Sequence, residues 1–507
     1  MSFEEIAEFL SAPDTHGPGV EVETVRTHTA IVFLAGDTAY KVKRPITYDY
    51  LDFSTLEKRE AILRRELELN KPAAPQIYLG LVPVTRQSDG GLKLDGDGEV
   101  VEWCLQMRRF PAEAELTALA ARHAISRSLA EEIGHSIADY HARAEIASAD
   151  GLELVTEIAS ELDNAFAGMA DVLGPARVEA FHSSVAAQIG ANAALLTGRG
   201  RAGHVRRGHG DLHLGNLVLL DGRPVPFDAL EFNERLGTLD VLYDLAFIIM
   251  DLLHRGLSEA ANAVLNAYLN RARQPDHLDG LVLLPLFLGL RAGIRAMVKV
   301  QTAQLKEGGS DADVEAARAY LDHALGYLAP PAPRLVAIGG FSGTGKTSLA
   351  RQLAPLIAPA PGAIHLRSDL ERKAMFGVDP LSRLPQSAYS AAAGKRVYSR
   401  LLDQAVRVLE AGHSVIIDAV FARPEERQGL AELAQRQGLK LTGLWLHADL
   451  ATLMSRVSSR RGDASDADET VVRKQVETGK VAADWVQIEA GAERQAVAQR
   501  ARAALRI

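Results

Sequence analysis

Residues 209–216 read HGDLHLGN, and the chain continues as LVLLDGRPVPFD to Asp228. The two apolar runs on either side of the turn DGRP predict a β-hairpin that bears three oxygen-containing side chains. Phosphoryl transfer uses such a set, in which one carboxylate orients a hydroxyl nucleophile while an amide and a second carboxylate hold Mg²⁺ against a triphosphate. We therefore assign Asp211 as the catalytic base and Asn216 and Asp228 as metal ligands.

The same segment allows a zinc interpretation, because His209 and His213 are spaced as H-x-x-x-H. The glycines at 210 and 215 oppose a helix that would align the two rings, and no third ligand is indicated. We favour a structural role for His209, as a hydrogen-bonding partner of the loop backbone.

The segment resembles the aminoglycoside phosphotransferase and choline kinase family, relatives of the protein kinases, whose loop reads H-G-D-x-x-x-x-N and is followed by a later Asp. The resemblance spans most of residues 20–325, with strong motif identity only over 209–228. Two departures are visible. Ala229-Leu230 follows Asp228 in place of Phe-Gly, and Leu214 stands where many relatives have proline. Neither departure removes a chemical group.

The resemblance also implies a strand lysine that binds the α and β phosphates of ATP and pairs with a helix glutamate. Lys41 is our choice, and Lys43 is its rival because residues two apart on a strand share a face. Glu66 is preferred over Glu60 as the partner. A surface lysine and a glutamate on a solvated helix face remain the plain alternatives.

Asp240 and Asp244 lie one helical turn apart in the apolar segment TLDVLYDLAFIIMDLL. Buried carboxylates without partners are costly, so we expect both to hydrogen-bond the catalytic loop or an arginine. Their predicted role is to support the fold.

A second phosphate-binding motif lies far downstream. Residues 340–347 read GFSGTGKT and fit G-x-x-x-x-G-K-[ST], with the strand pattern LVAI before them and the helical pattern SLARQLAPLI after them. Glycines let backbone N–H groups turn toward phosphates at the N-terminus of a helix. We expect Lys346 to reach the β and γ phosphates and Thr347 to ligate Mg²⁺. The candidate nucleotide-binding residues are Gly340, Ser342, Gly343, Thr344, Gly345, Lys346, Thr347 and Ser348.

Two carboxylates follow apolar strand patterns in the same half. Asp418 ends the strand within SVIIDAVF, where it could hold hydrated magnesium or a substrate group. Asp369, in HLRSDLERK, is assigned as the group that accepts the proton of a substrate hydroxyl. A turn-capping role for Asp418 and a helix N-cap role for Asp369 remain open.

Arg456 and Arg460 are four residues apart in SRVSSRRGDASDAD and would share a helix face in the region where a closing lid is expected. A guanidinium pair there could neutralise charge on a transferring phosphoryl group, with plain surface solvation as the alternative. This half resembles the P-loop small-molecule kinases grouped with zeta-toxin-like and gluconate-kinase-like proteins. The resemblance implies phosphorylation of a small hydroxylated metabolite by ATP.

The clearest boundary in the chain is the proline-rich connector at 329–333, which cannot be helical. It predicts two domains, 1–328 and 334–507. Strand patterns at 22–43, 78–84 and 100–110, a helix over 54–70 capped by Ser54, and helical patterns from 127 to 200 predict an α+β layout of two lobes, as in protein kinases. Alternating apolar runs and helices after the connector predict an α/β domain with a parallel sheet.

Composition limits the remaining classes. The 507 residues include 56 Lys and Arg against 65 Asp and Glu, a net charge of −9 that argues against general binding to nucleic acid or to anionic membranes. The residues from Arg334 onward hold 25 basic and 18 acidic side chains, whereas the preceding residues hold 31 and 47. One cysteine, an acidic start and short apolar runs predict a cytoplasmic protein without a membrane span.

Together these patterns predict a bifunctional kinase that transfers the γ-phosphoryl group of ATP, with Mg²⁺, to hydroxyl groups of small metabolites. One alternative is a nucleotide-sensing protein with one silent domain. Another is an antibiotic-modifying phosphotransferase, because an acidic first half could attract a polyamine. Toxin activity of the second half is a further possibility. The pattern does not identify the substrates or the oligomeric state.

Overall fold

The computed structural model describes residues 2–48, 51–305, 311–459 and 462–507. Contacts within the chain define two compact units, one of residues 1–156 and 194–251 and the other of residues 157–193 and 252–507. This division does not follow the proline-rich connector, and the boundary drawn at 329–333 stays a prediction from sequence.

The first unit contains a six-stranded antiparallel sheet in the order β1-β2-β3-β8-β6-β7. Its alternating apolar residues form a core with helix α1, and Ile31, Phe33 and Cys104 are almost fully buried there. The Gly36-Asp37 turn joins β2 to β3 within the segment 22–43, for which the sequence predicts strands. The strands are β1 (Val22–Arg26), β2 (Ala30–Ala35), β3 (Thr38–Lys43), β4 (Thr47–Tyr48), β5 (Leu51–Asp52), β6 (Tyr78–Arg86), β7 (Leu92–Leu94), β8 (Glu99–Arg108), β9 (Val205–Arg207), β10 (Leu217–Leu220), β11 (Arg223–Pro226) and β12 (Thr238–Asp240).

Helices follow the sheet, so the predicted α+β layout is confirmed. The first ten helices along the chain are α1 (Phe3–Ser11), α2 (Pro13–His16), α3 (Leu56–Asn70), α4 (Leu116–Ala121), α5 (Arg127–Arg143), α6 (Gly151–Ala167), α7 (Ala170–Leu173), α8 (Pro175–Arg201), α9 (Glu234–Gly237) and α10 (Val241–His254). The cap predicted for α3 is wrong by one residue. Thr55 is the N-cap and accepts the Lys58 N–H, whereas the Ser54 hydroxyl donates to Asp52.

The second unit contains a five-stranded parallel sheet in the order β14-β15-β13-β16-β17, which confirms the predicted α/β architecture. Strands β13, β14 and β15 are buried on both faces, as parallel strands between helices are expected to be, whereas most residues of β17 are exposed. The strands are β13 (Leu335–Gly340), β14 (Ile364–Arg367), β15 (Val415–Asp418), β16 (Leu441–His447) and β17 (Val486–Glu489). The helices of this region are α15 (Lys346–Leu353), α16 (Ser368–Met375), α17 (Ala391–Glu410), α18 (Pro424–Arg436), α19 (Leu450–Ser458), α20 (Glu469–Thr478) and α21 (Arg494–Leu505).

Four further helices of the second unit begin between residue 252 and the connector. They are α11 (Ser258–Ala272), α12 (Pro275–Asp279), α13 (Leu284–Leu305) and α14 (Asp311–Leu328). Within the described part of the chain, one helical stretch, 275–304, is long and apolar enough to cross a membrane, and 72% of its most apolar window is buried inside the protein. Burial of that extent is typical of a core helix.

One buried histidine should make the stability of the second unit depend on pH. His413 is fully buried before β15, and burial lowers its pKa from 6.5 to about 4. Between these values the unfolded chain binds a proton that the folded chain does not, so stability falls as the pH falls from 6.5 to 4. At about 1.4 kcal/mol for each pH unit, the loss approaches about 3 kcal/mol.

The variant His413→Leu should therefore unfold at a temperature that depends less on pH in this window than in the parent protein. His182 is the control, because its side chain is 52% exposed and Asp163 raises rather than lowers its pKa. An unchanged pH profile for His413→Leu would contradict the prediction.

Candidate active sites

In the first unit, a lysine on strand β3 lies between two carboxylates. Lys41 Nζ is 2.7 Å from Glu66 Oε1 on helix α3 and 2.7 Å from Asp228 Oδ1, just after β11. Burial opposes the charge of Lys41, yet Asp228 and Glu66 hold its pKa well above the ordinary value. The predicted Lys41, Glu66 and Asp228 are thus brought together, whereas Glu60 pairs with Arg64 on the helix surface.

The rival lysine lies in the same network. Lys43 Nζ is 2.7 Å from Glu66 Oε2 and 2.5 Å from Glu231 Oε1, and its side chain is only 1% exposed. Burial raises the pKa of Glu231 against the opposing charge of Lys43. Glu66 therefore contacts both lysines, but only Lys41 also contacts Asp228 among the contacts that the structure describes. Sequence reasoning missed Glu231, because nothing in its local spacing marks it as the partner of a residue 188 positions away.

The loop over 209–216 places the candidate base beside the candidate metal ligand. The Asn216 amide donates to the Asp211 backbone oxygen at 2.9 Å and to Asp211 Oδ2 at 3.0 Å. His213 Nε2 lies 3.4 Å from the same carboxylate oxygen, and Asp211 keeps 44% of its side chain exposed. The carboxylate is therefore oriented by the loop while one side stays accessible to solvent.

Buried carboxylates on helix α10 hold this loop from behind. Asp244, which is fully buried, accepts the backbone N–H of His209 at 2.7 Å and that of Gly210 at 3.1 Å. Asp251, two turns further along, accepts the N–H of Leu214 at 3.1 Å. The predicted contact between Asp244 and the catalytic loop is confirmed.

The other predicted support is confirmed as well. Asp240 accepts two hydrogen bonds from Arg199, at 2.6 and 2.8 Å, and both side chains are buried. His209 also acts as expected, because its Nε2 contacts the backbone oxygen of Phe227 at 2.9 Å and so joins the loop to the end of the hairpin. No group of three or more His, Cys, Asp or Glu residues able to hold a metal occurs among the described residues. The zinc interpretation therefore gains no third ligand.

Asp228 is held in an unusual backbone conformation. Its φ is +60°, a left-handed value uncommon for residues other than glycine, and such values concentrate at functional sites. The Tyr78 hydroxyl accepts the Asp228 N–H at 2.9 Å, and Asn70 Oδ1 accepts the N–H of Ala229 at 2.8 Å. Ala229 is buried, so the departure at 229–230 leaves the position of the Asp228 carboxylate supported by backbone contacts.

A further ion network was not predicted. Arg207, just before the catalytic loop, is 2.8 Å from Glu234 Oε2, and Arg65 on helix α3 is 2.6 Å from Glu234 Oε1. Arg65 is next to Glu66 in the sequence. The network therefore connects the helix that carries Glu66 to the segment that follows Asp228. Its three members lie far apart in the sequence, and no local pattern joins them.

In the second unit, residues 340–347 form a loop between strand β13 and helix α15, as predicted. Gly345 has a φ of +89° at the N-cap of α15, a conformation that side-chain-bearing residues rarely adopt. The Thr344 hydroxyl donates to the Phe341 oxygen at 2.8 Å, and Lys346 Nζ donates to the same oxygen at 3.2 Å. Ser348 lies in the first turn of the helix. The Ser342 N–H donates to Gln475 Oε1 at 2.8 Å.

The candidate magnesium ligands of this unit are in contact. The Thr347 hydroxyl donates to Asp418 Oδ2 at 2.6 Å, and His365 Nε2 lies 3.4 Å from the same oxygen. Burial alone would raise the pKa of Asp418, but His365, Lys346 and Arg367 lower it to about 2, so the carboxylate is ionised near neutral pH. His365 and Arg367 were not predicted.

Asp369 begins helix α16 and faces the same group of charges. Burial raises its pKa, with the charge of Arg367 acting in the opposite direction. A raised pKa makes a carboxylate a better proton acceptor. No side-chain capping hydrogen bond occurs at the start of α16, whose N-cap residue is Arg367, so the helix N-cap alternative for Asp369 is wrong.

The segment after helix α19 folds onto the residues around α16. Asp466 accepts hydrogen bonds from Lys373 at 2.7 Å, from the Tyr389 hydroxyl at 2.6 Å and from the Leu384 N–H at 3.0 Å. Arg456 lies in α19 and is partly buried, and Arg460 lies outside the described residues. The acids of the predicted lid thus have described contacts, whereas the predicted arginine pair stays untested.

Both units offer the oxygen ligands that Mg²⁺ prefers. Mg²⁺ usually takes only one or two protein carboxylates and completes its shell with water and substrate phosphates. Asn216 and Asp228 in the first unit, and Thr347 and Asp418 in the second, fit that chemistry.

Comparison with protein families separates the chain into two known domain types. The family described as "Phosphotransferase enzyme family" matches residues 52–281, and the family described as "AAA domain" matches residues 335–482. The first match contains the site at 209–228 and the second contains the loop at 340–347.

Similar proteins cover most of the chain. Uncharacterized proteins of Mycobacterium tuberculosis (strain ATCC 25618 / H37Rv) and Mycobacterium bovis are each 30% identical to it over 471 residues, which is 90% of this chain and 89% of theirs. A gluconokinase structure from Sinorhizobium meliloti 1021 is 19% identical, covers 34% of this chain and 92% of its own, and has a TM-score of 0.26. A choline kinase structure from Cryptosporidium parvum is 12% identical, covers 64% and 95%, and has a TM-score of 0.38.

The contacts of helix α10 generate a test of how the catalytic loop is held. Asp244→Ala should leave the N–H groups of His209 and Gly210 buried without their acceptor, at a cost of about 2–4 kcal/mol. Amide hydrogen exchange over 207–212 should accelerate. The matched variant Asp251→Ala should instead affect exchange at Leu214. Equal exchange profiles in the two variants would contradict this division of roles.

Proposed function

This chain belongs to the same family as the mycobacterial proteins and joins a phosphotransferase-family domain to a P-loop kinase-type domain, and from this premise we propose that it is a bifunctional ATP-dependent kinase. Each domain would transfer the γ-phosphoryl group of ATP to a hydroxyl group of a small metabolite. One observation carries the proposal. In each unit, a carboxylate suited to Mg²⁺ contacts a candidate phosphate-site residue, Lys41 with Asp228 at 2.7 Å and Thr347 with Asp418 at 2.6 Å.

In the first site, Asp211 orients the acceptor hydroxyl and receives its proton. The Asn216 amide donates to Asp211, which fixes the carboxylate and leaves the amide oxygen of Asn216 available to a cation. Asp228 would be the second ligand of Mg²⁺, which neutralises charge on the triphosphate when it is bound. Lys41 is positioned by Glu66 to bind the α and β phosphates.

In the second site, the backbone N–H groups of 340–347 and Lys346 bind the phosphates at the N-terminus of α15. Thr347 and Asp418 would hold Mg²⁺. Asp369, with its raised pKa, receives the proton of the acceptor hydroxyl. Arg456 would neutralise charge on the transferring group, together with Arg460, which lies outside the described residues.

Variants of the two sites should lose ATP consumption independently. Asp211→Ala should abolish the contribution of the first site and Lys346→Ala that of the second, each by at least about a hundredfold, because Asp211 acts on the acceptor hydroxyl and Lys346 on the reacting phosphates. The double variant should be inactive. Turnover is measured with labelled ATP in the full chain, with the exposed Asp97→Ala and Lys440→Ala variants as matched controls.

Unchanged consumption in either single variant, at saturating acceptor, would indicate a silent domain and favour a nucleotide-sensing protein. The acceptors are found by incubating the full chain with labelled ATP and a metabolite extract and identifying every labelled product. Products confined to aminoglycosides, when these are added, would instead favour antibiotic modification.

Substitutions of the two lysines of β3 should have different effects. In a Lys346→Ala background, Lys41→Met should lower kcat/KM for ATP by about a hundredfold, since it removes a donor to the phosphates. Lys43→Met should act mainly on stability, by about 3–5 kcal/mol, because it leaves Glu66 and Glu231 buried with one cation fewer. ATP kinetics and thermal unfolding are measured on both variants. A larger kinetic defect in Lys43→Met would reverse the assignment.

A further inference from the structure

Helix α11 carries asparagines at every fourth position of an otherwise apolar, buried sequence. Asn262, Asn266 and Asn270 lie in NAVLNAYLN, so they share one face of the helix. Asn262 is fully buried and Asn266 is 7% exposed. Buried amides require hydrogen-bond partners, and these two bond Ala363, just before strand β14 of the P-loop sheet, and His365 within that strand.

Strand β14 is the edge strand of that sheet, because it pairs only with β15. The Ile364 N–H donates to Ser414 on the β15 side, so the neighbouring Ala363 C=O and His365 N–H point to the open side. Asn266 bonds both groups. Its Oδ1 accepts the His365 N–H at 2.7 Å and its Nδ2 donates to the Ala363 oxygen at 3.3 Å.

The Asn266 side-chain amide thus forms the two hydrogen bonds that a peptide group of a neighbouring strand would form. Asparagine suits this position because its amide has both a donor and an acceptor. Asn262 Nδ2 also donates to the Ala363 oxygen, at 3.1 Å, but among the described contacts it does not reach His365. A Cβ atom at Gly362, whose φ is +120°, would lie 2.4 Å from the Ala354 backbone oxygen and 2.8 Å from Asn262 Nδ2, so the backbone conformation and the neighbouring backbone require glycine there.

The strand residue that Asn266 holds is the one whose ring contacts the candidate magnesium ligand. His365 Nε2 lies 3.4 Å from Asp418 Oδ2, and that oxygen accepts the Thr347 hydroxyl at 2.6 Å. A chain of contacts therefore runs from Asn266 through His365 to Asp418 and Thr347.

We propose that Asn266 is a positioning residue for the cation site of the P-loop kinase and acts through His365 on Asp418. Helix α11 lies within the region matched by the phosphotransferase family, so a residue of that region would complete the site of the other domain. The proposal rests on the function proposed above for residues 340–347. Partners that orient metal ligands are known to change metal affinity by about 10–100-fold when they are removed.

The variants Asn266→Ala and Asn262→Ala form a matched pair, since both remove a buried amide that bonds the Ala363 oxygen. Asn270→Ala is the second control, because the Asn270 amide donates only to the Asn266 backbone oxygen among the described contacts. In the metal-free, nucleotide-free full chain, amide exchange at His365 should accelerate roughly fivefold in Asn266→Ala and stay near the parent value in the two controls. Exchange is read from overlapping peptides that cover 363–367.

The second readout is the Mg²⁺ concentration for half-maximal ATP turnover, measured in an Asp211→Ala background so that only the P-loop site contributes. It should rise roughly tenfold in Asn266→Ala, with a smaller change in kcat, and stay within about twofold in Asn262→Ala and Asn270→Ala. If Asn266→Ala does not fold, Asn266→Ser is measured in its place, because its shorter side chain cannot span both strand groups.

Equal Mg²⁺ dependence in the Asn266 and Asn262 variants would overturn the positioning role, even if both lose stability. The parent function is checked separately. If Lys346→Ala leaves ATP turnover in the Asp211→Ala background unchanged, the proposed second activity is wrong. If Lys346→Ala abolishes that turnover but Asn266→Ala does not change its Mg²⁺ dependence, only the positioning role of Asn266 is wrong.

Discussion

A buried lysine ammonium group requires neighbouring carboxylates, and this requirement determines which elements of the first unit contact one another. Lys41 and Lys43 both contact Glu66, and each has a second carboxylate of its own, Asp228 or Glu231. Because a buried charge without a partner costs several kcal/mol, strand β3, helix α3 and the segment after β11 are bound to one another by charge balance as well as by apolar packing. The groups that phosphoryl transfer would use are thus also groups on which the fold depends.

The second unit meets the same requirement with a different arrangement. Asp418 is buried at the end of a parallel strand, where Thr347 and His365 contact it and the charges of Lys346 and Arg367 lower its pKa. Several groups together compensate the negative charge of Asp418. Arg367 Nε forms a long ion pair with Asp418 Oδ2, at 3.9 Å. In the first unit, by contrast, Asp228 pairs closely with Lys41, at 2.7 Å.

Sequence reasoning succeeded where the chemistry is encoded by local spacing. Asp211 and Asn216 are five residues apart in one loop, and 340–347 form one turn between a strand and a helix, so neither depends on distant parts of the chain. The predicted N-cap of α3 was wrong by one residue. Ser54 and Thr55 have equal capping chemistry, and the helix begins after Thr55. Glu231, His365 and Asn266 were missed for a different reason. Each has a partner at least 53 positions away, and a lone polar residue in an apolar helix or strand does not reveal which distant group it meets.

The edge of the parallel sheet provides one set of contacts that joins residues before the proline-rich connector to the compact unit that contains the sheet. A parallel sheet is stable when both faces are covered and when its edge groups have partners. Strand β14 leaves a carbonyl and an N–H unpaired on its outer side, and no residue after 333 supplies both bonds in the described chain, whereas Asn266 does. The boundary predicted from the prolines and the boundary defined by contacts therefore describe different properties of the chain. The first marks where regular structure must stop, and the second marks which residues the sheet needs to satisfy its hydrogen bonds.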